Sequence, residues 1–174
     1  MKKTIIASLA VLASAAVLTT FALVGGAGKF GGVRVNAEPK TYSITFDESN
    51  TTVEEVLDKY AIYVTTPRGA KVGVIGWNND EADFTFKGYS FGNLRLCEHH
   101  YMEMVGAYGF DHITGFAISF EEGGDVSFDG GGTYYDEIVS GTPYKDKSFT
   151  PDDYPMFYAG NSVTVSSLTI WYSC

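Results

Sequence analysis

Alternation with a period of two runs through most of the chain. Tyr42, Ile44 and Phe46 interleave with Thr41, Ser43 and Thr45, and Phe84 and Phe86 interleave with Asp83, Thr85 and Lys87. Successive strand side chains point to opposite faces, so each run predicts a strand with one buried and one solvated face. Further strands are predicted over residues 62–66, 71–75, 94–97, 114–120, 125–128 and 134–139, with Phe116, Ile118 and Phe120 turned inward. Pro67-Arg68-Gly69 predicts a tight turn, since proline presets one turn dihedral and glycine relaxes the next. In the closing segment, 162–172, the apolar parity reverses: Val163 and Val165 are odd, Leu168, Ile170 and Tyr172 even. One inserted residue at Ser166-Ser167 restores the buried face, which predicts a bulge there.

Residues 51–60 read differently. Thr51 with Glu54, or Thr52 with Glu55, has capping-box spacing, and Val53, Val56, Leu57 and Tyr60 fall on one helical stripe opposite charged residues. This predicts one short helix near 51–60, with a second short helix weighed around 98–104. Many short strands, glycine-rich turns and no β-α-β rhythm predict an all-β, mainly antiparallel β-sandwich of jelly-roll type. A small α+β β-grasp-like fold or open barrel is the alternative.

The first 37 residues stand apart. Lys2 and Lys3 precede an uncharged apolar run over residues 4–24 and a glycine-rich exit, the layout of a secretory signal peptide. Small residues suit cleavage after Ala27 or after Ala37, and Ala37 is favoured because polar Glu38-Pro39-Lys40 follows. The run is also long enough to span a bilayer, so an uncleaved membrane tether is the alternative. Removal of 37 residues leaves a single 38–174 domain; Lys2, Lys3, Lys29 and Arg34 depart with no acid, and the net charge moves from −9 to −13. Such acidity excludes the clustered basic surface of a nucleic-acid binder, and the short lysine-rich start has a bacterial look. Outside the cytoplasm, Cys97 and Cys174, the only two cysteines, are expected to form a disulfide. The entropy of closing so long a loop corresponds to about 4–5 kcal/mol at most.

Catalytic signatures are missing: there is no Gly-x-Ser-x-Gly elbow and no phosphate-binding glycine loop leading into a Lys-Ser/Thr helix. Enzymatic activity is therefore left undecided, with a non-catalytic role favoured. Glu121, Asp125, Asp129 and Asp136 surround Gly123-Gly124 and Gly130-Gly131-Gly132, a setting in which carboxylates and carbonyls could gather a structural calcium ion. No other cofactor is implied.

Aromatic residues make up 15% of the chain, more than strand interiors absorb. Trp77 precedes Asn78, Asn79 and Asp80; Tyr134 and Tyr135 follow three glycines; Tyr154 and Tyr158 flank Pro155. A flat ring offers an apolar plane to sugar C–H groups while amides and carboxylates bond the hydroxyls, so these eight residues are the candidate ligand site. The stretch from Ile113-Thr114-Gly115-Phe116 to Leu168-Thr169-Ile170-Trp171-Tyr172 resembles the closing strands of jelly-roll modules that bind carbohydrate, and the resemblance implies no particular binding residue. The expected function is a secreted, non-catalytic domain recognising a polysaccharide or glycan. A structural or adhesive protein that binds another extracellular protein, or a small glycan-active hydrolase, are the alternatives.

Overall fold

The computed structural model describes residues 40–77, 83–96, 99–110, 112–145, 149 and 155–173. The N-terminal 39 residues, Cys97, Cys174, Asn78, Asn79, Asp80 and Tyr154 lie outside them, and with them the signal peptide, its cleavage points and the disulfide. The described elements, in chain order, are β1 (Thr41–Asp47), β2 (Thr51–Val56), β3 (Lys59–Thr65), β4 (Lys71–Trp77), β5 (Phe84–Phe86), β6 (Tyr89–Phe91), β7 (Asn93–Arg95), α1 (His99–Met104), β8 (Ala107–Tyr108), β9 (Ile113–Phe120), β10 (Val126–Asp129), β11 (Tyr134–Tyr135), β12 (Tyr144–Lys145), β13 (Met156–Ala159) and β14 (Val163–Ser173).

They form two sheets. One runs β12-β9-β14-β5-β6, with β1 also on β14; the other runs β11-β10-β13-β7-β4-β3-β2, with β8 added to β4. Pairing is antiparallel except for β14 with β5 and β4 with β8. The alternation explains why the sheets face each other. Phe46 pairs with Leu168 and Ile44 with Ile170, and on the other side of β14 Ile170 pairs with Phe116 and Leu168 with Ile118. These side chains share one cluster with Ile62, Val74, Leu94, Phe128 and Phe157 of the opposing sheet. Phe116 and Phe128 meet across the interface with ring centres 4.2 Å apart, and Phe157, Phe149 and Tyr144 surround them. A residual gap of about 10 Å³ among Phe46, Phe91 and Leu168 is no larger than one water needs. Among the described residues, that gap has no room for a ligand.

The bulge falls where the parity reversal puts it: the β14–β9 register shifts between Val165 and Ser167, so Val165 and Leu168 both point into the core. The helix expected near 51–60 is instead a β-hairpin. Thr51 pairs with Val64 through to Val56 with Lys59, and the Thr51 hydroxyl donates to Asn50 Oδ1 rather than capping a helix. Val53 and Val56 sit three apart by coincidence. The β-branched Thr51-Thr52-Val53 run prefers strand geometry, and pairing with β3 supplies inter-strand hydrogen bonds where an isolated ten-residue helix would be marginal. The turn is Leu57-Asp58, with Leu57 held at φ 58°. Among the described residues, helix forms only at α1, within the second region weighed. The strand expected over 134–139 shrinks to Tyr134–Tyr135.

A second, smaller cluster lies on the outer face of the eight-stranded sheet, where α1 sets Met102 and Val105 against Val56, Ala61, Tyr63 and Ile75. Gly73 makes the approach possible, since a Cβ there would run into Ile62 O, Met102 Cε and Tyr63 Cβ.

Candidate functional site

Beyond α1 the outer face of the eight-stranded sheet carries a polar and aromatic row. Trp77 on β4 pairs with Lys59 on β3 and with Asn93 on β7. One step along, Arg95 pairs with Met156, Met156 with Asp129 and Asp129 with Tyr134. Tyr158, two residues beyond Met156, shares its face and pairs with Ser127. Strand pairing thus gathers Trp77, Tyr134 and Tyr158 with Asn93, Arg95 and Asp129, residues scattered over 82 positions of sequence. Tyr134 is 59% exposed; the others are half-buried.

The electrostatics of the row are mixed. Burial pushes the Tyr158 phenol above its ordinary 10.0, the Asp129 carboxylate and Tyr134 push it further, and the Arg95 guanidinium opposes them. Asp129 Oδ1 accepts a hydrogen bond from Gly131 N at 2.9 Å, which orients the carboxylate. Arg95 stacks on Trp77 with its guanidinium carbon 4.0 Å from the ring centre, and the Lys59 ammonium lies 3.8 Å from the same ring. Two like charges that close to one ring occupy opposite faces, so Trp77 is sandwiched and its planes are taken. Tyr101 of α1 adds an edge contact at 6.4 Å. Trp77 therefore frames the row, and among the described residues Tyr134 and Tyr158 are its other two rings.

Tyr135 is turned the other way. It pairs with Phe128 and packs inside the sandwich against Phe116 and Tyr144, because neighbouring strand residues alternate faces. It leaves the candidate set. The acidic candidates also part company. Asp125 and Asp129 stand at opposite ends of β10, and among the described residues no three His, Cys, Asp or Glu gather closely enough to hold a metal ion. The turn at Glu121–Asp125 is clipped by Asn161 instead: its Oδ1 accepts from Asp125 N at 3.0 Å and its Nδ2 donates to Gly123 O at 3.1 Å. An amide supplies both the donor and the acceptor that the loop backbone needs.

Two residues of the row, Asn93 and Arg95, were not among the sequence candidates, and Asp129 was a candidate only for a metal. The Leu94-Arg95-Leu96 alternation marks Arg95 as outward, but nothing local brings it beside Trp77. Trp171 was missed likewise; it lines a groove of about 220 Å³ with Thr41, Thr114 and Lys145 on the outer face of the six-stranded sheet. Among the described residues, no helix is long and apolar enough to cross a membrane. Comparison with known protein family models, curated proteins and solved structures finds no match for this chain.

Proposed function

We propose that the protein is a non-catalytic carbohydrate-binding domain that works outside the cytoplasm. The observation that supports this most directly is the row formed by Tyr134, Tyr158, Asp129, Arg95 and Asn93 across β11, β10, β13 and β7. Rings offer apolar planes to sugar C–H groups, and amide, carboxylate and guanidinium groups can bond vicinal hydroxyls in both senses. From β4 to β11 the face crosses four strand spacings, roughly 19 Å at about 4.8 Å each, the scale of a short oligosaccharide.

The signal-like N-terminus supports secretion, and the two cysteines then fit a Cys97–Cys174 bridge. Mass spectrometry of the mature product tests both: a chain beginning at Glu38 and lacking two thiol hydrogens is expected. For the binding reading, affinity electrophoresis against a polysaccharide panel is the test. At least one polysaccharide retards the wild type, and Tyr134→Ala and Asp129→Asn each abolish the retardation while melting stays within a few degrees. Retardation that survives both substitutions, or none on any polysaccharide, overturns the assignment.

A further inference from the structure

The opposite face of the sandwich carries a second recess. Lys145 pairs with Gly115 and Gly115 with Trp171, one cross-strand row over β12, β9 and β14. Gly115 has no side chain, so the Lys145 ammonium reaches across it to lie 3.9 Å from the centre of the Trp171 ring. Thr41 of β1 and Thr114 of β9 close the groove of about 220 Å³. It is smaller than the roughly 300–1,000 Å³ of sites that hold drug-sized ligands, and suits a single ring.

Three features of the lining define the ligand. Trp171 supplies an apolar plane. Among the described lining residues Lys145 supplies the only charge, and it is positive, in a chain with 21 acidic and 12 basic residues. Thr114 lines the groove, and its hydroxyl oxygen is buried with no hydrogen-bond partner among the described residues, so it meets a ligand once its side chain turns toward the groove. We propose that this groove binds one anionic sugar ring of hexuronate size, its carboxylate on Lys145, its C–H face on Trp171 and a ring hydroxyl on Thr114. An exposed cation–π contact is weak, so Lys145 exchanges it for a carboxylate readily. The site shares no residue with the Tyr134 row and stands or falls separately from it.

The test is a titration of the full chain with D-glucuronate, with D-glucose and acetate as probes that lack the charge or the ring, followed through the indole N–H resonances of Trp171 and Trp77. Glucuronate shifts Trp171 saturably and leaves Trp77 in place; glucose and acetate each bind at least tenfold more weakly. Lys145→Gln, at an exposed position, weakens glucuronate at least tenfold, Thr114→Val at least threefold, and Tyr134→Ala leaves it unchanged. An unmoved Trp171 resonance, equal binding of glucose or acetate, or undiminished binding by Lys145→Gln overturns the proposal.

Discussion

Lys59 gives the sharpest test of how this sandwich is held together. It is only 2% exposed, paired with Asp58 at 2.7 Å and caged by Trp77 and Tyr101 at 3.8 and 4.0 Å from its ammonium. Burial works against its charge, but the hydrogen bonds to Asp58 and Tyr101 outweigh burial and hold its pKa above the ordinary 10.5. Consider Lys59→Met and Lys59→Ala. Methionine keeps the apolar stem and deletes the ammonium. Two desolvated cation–π contacts are worth up to about 2 kcal/mol each, and taking an ammonium out of water costs several kcal/mol. Asp58 lies largely in water, which screens its share of the attraction. The terms nearly cancel, so Lys59→Met changes stability by no more than about 1 kcal/mol. Alanine also removes three methylenes at about 0.8 kcal/mol each, so Lys59→Ala costs about 2.5 kcal/mol. Urea unfolding at pH 7 separates them. A loss above about 3 kcal/mol for Lys59→Met would refute the cancellation and make the ammonium a net stabiliser. The pH dependence has a fixed sign: because the folded pKa is raised, the Lys59 contribution is whole below pH 10.5 and is lost as pH climbs through the folded value. In the methionine variant that alkaline component disappears.

Four other outcomes are expected. Phe116→Ala, at the centre of the inter-sheet ring cluster, costs about 3–5 kcal/mol by urea unfolding; a loss under about 2 kcal/mol would mean the two sheets hold without that contact. Leu57 sits 69% exposed at φ 58°, so Leu57→Gly relieves a left-handed strain of about 1–2 kcal/mol against a glycine entropy cost of about 0.5–1 kcal/mol and raises the melting temperature slightly; a drop would show that the side chain makes a stabilising contact. The buried Tyr135 hydroxyl has no hydrogen-bond partner among the described residues, and Tyr135→Phe therefore stabilises by up to about 1 kcal/mol in the same assay, where any loss refutes the orphan assignment. Asp129→Asn lowers the Tyr158 phenol part of the way back toward 10.0, leaving the share due to burial, as read by phenolate absorbance; no movement would place Asp129 too far away to act.

How far the sequence carried the structure depends on the range of the interactions involved. The inward faces of β1, β5 and β9 and the β14 bulge were legible because alternation is a local signal that a one-residue insertion reverses. The 51–56 segment was misread because apolar spacing at three and four positions fits a helix as well as a strand, and only pairing with β3 decides between them.

The candidate site divides along the same line. That aromatics exceed what strand interiors need, and that Tyr134 and Tyr158 are among them, is composition and position. That Tyr134 faces out while Tyr135 faces in depends on register, because one step along a strand exchanges faces. That Trp77 is spent between Lys59 and Arg95 depends on three strands meeting, β3, β4 and β7, whose order in the sheet no local pattern encodes. The sequence by itself determined an acidic, aromatic-rich β chain with two-faced strands; the tertiary structure alone decided which rings are core, which are clamped by cations and which stay open to solvent, since those outcomes rest on contacts between residues far apart in the chain.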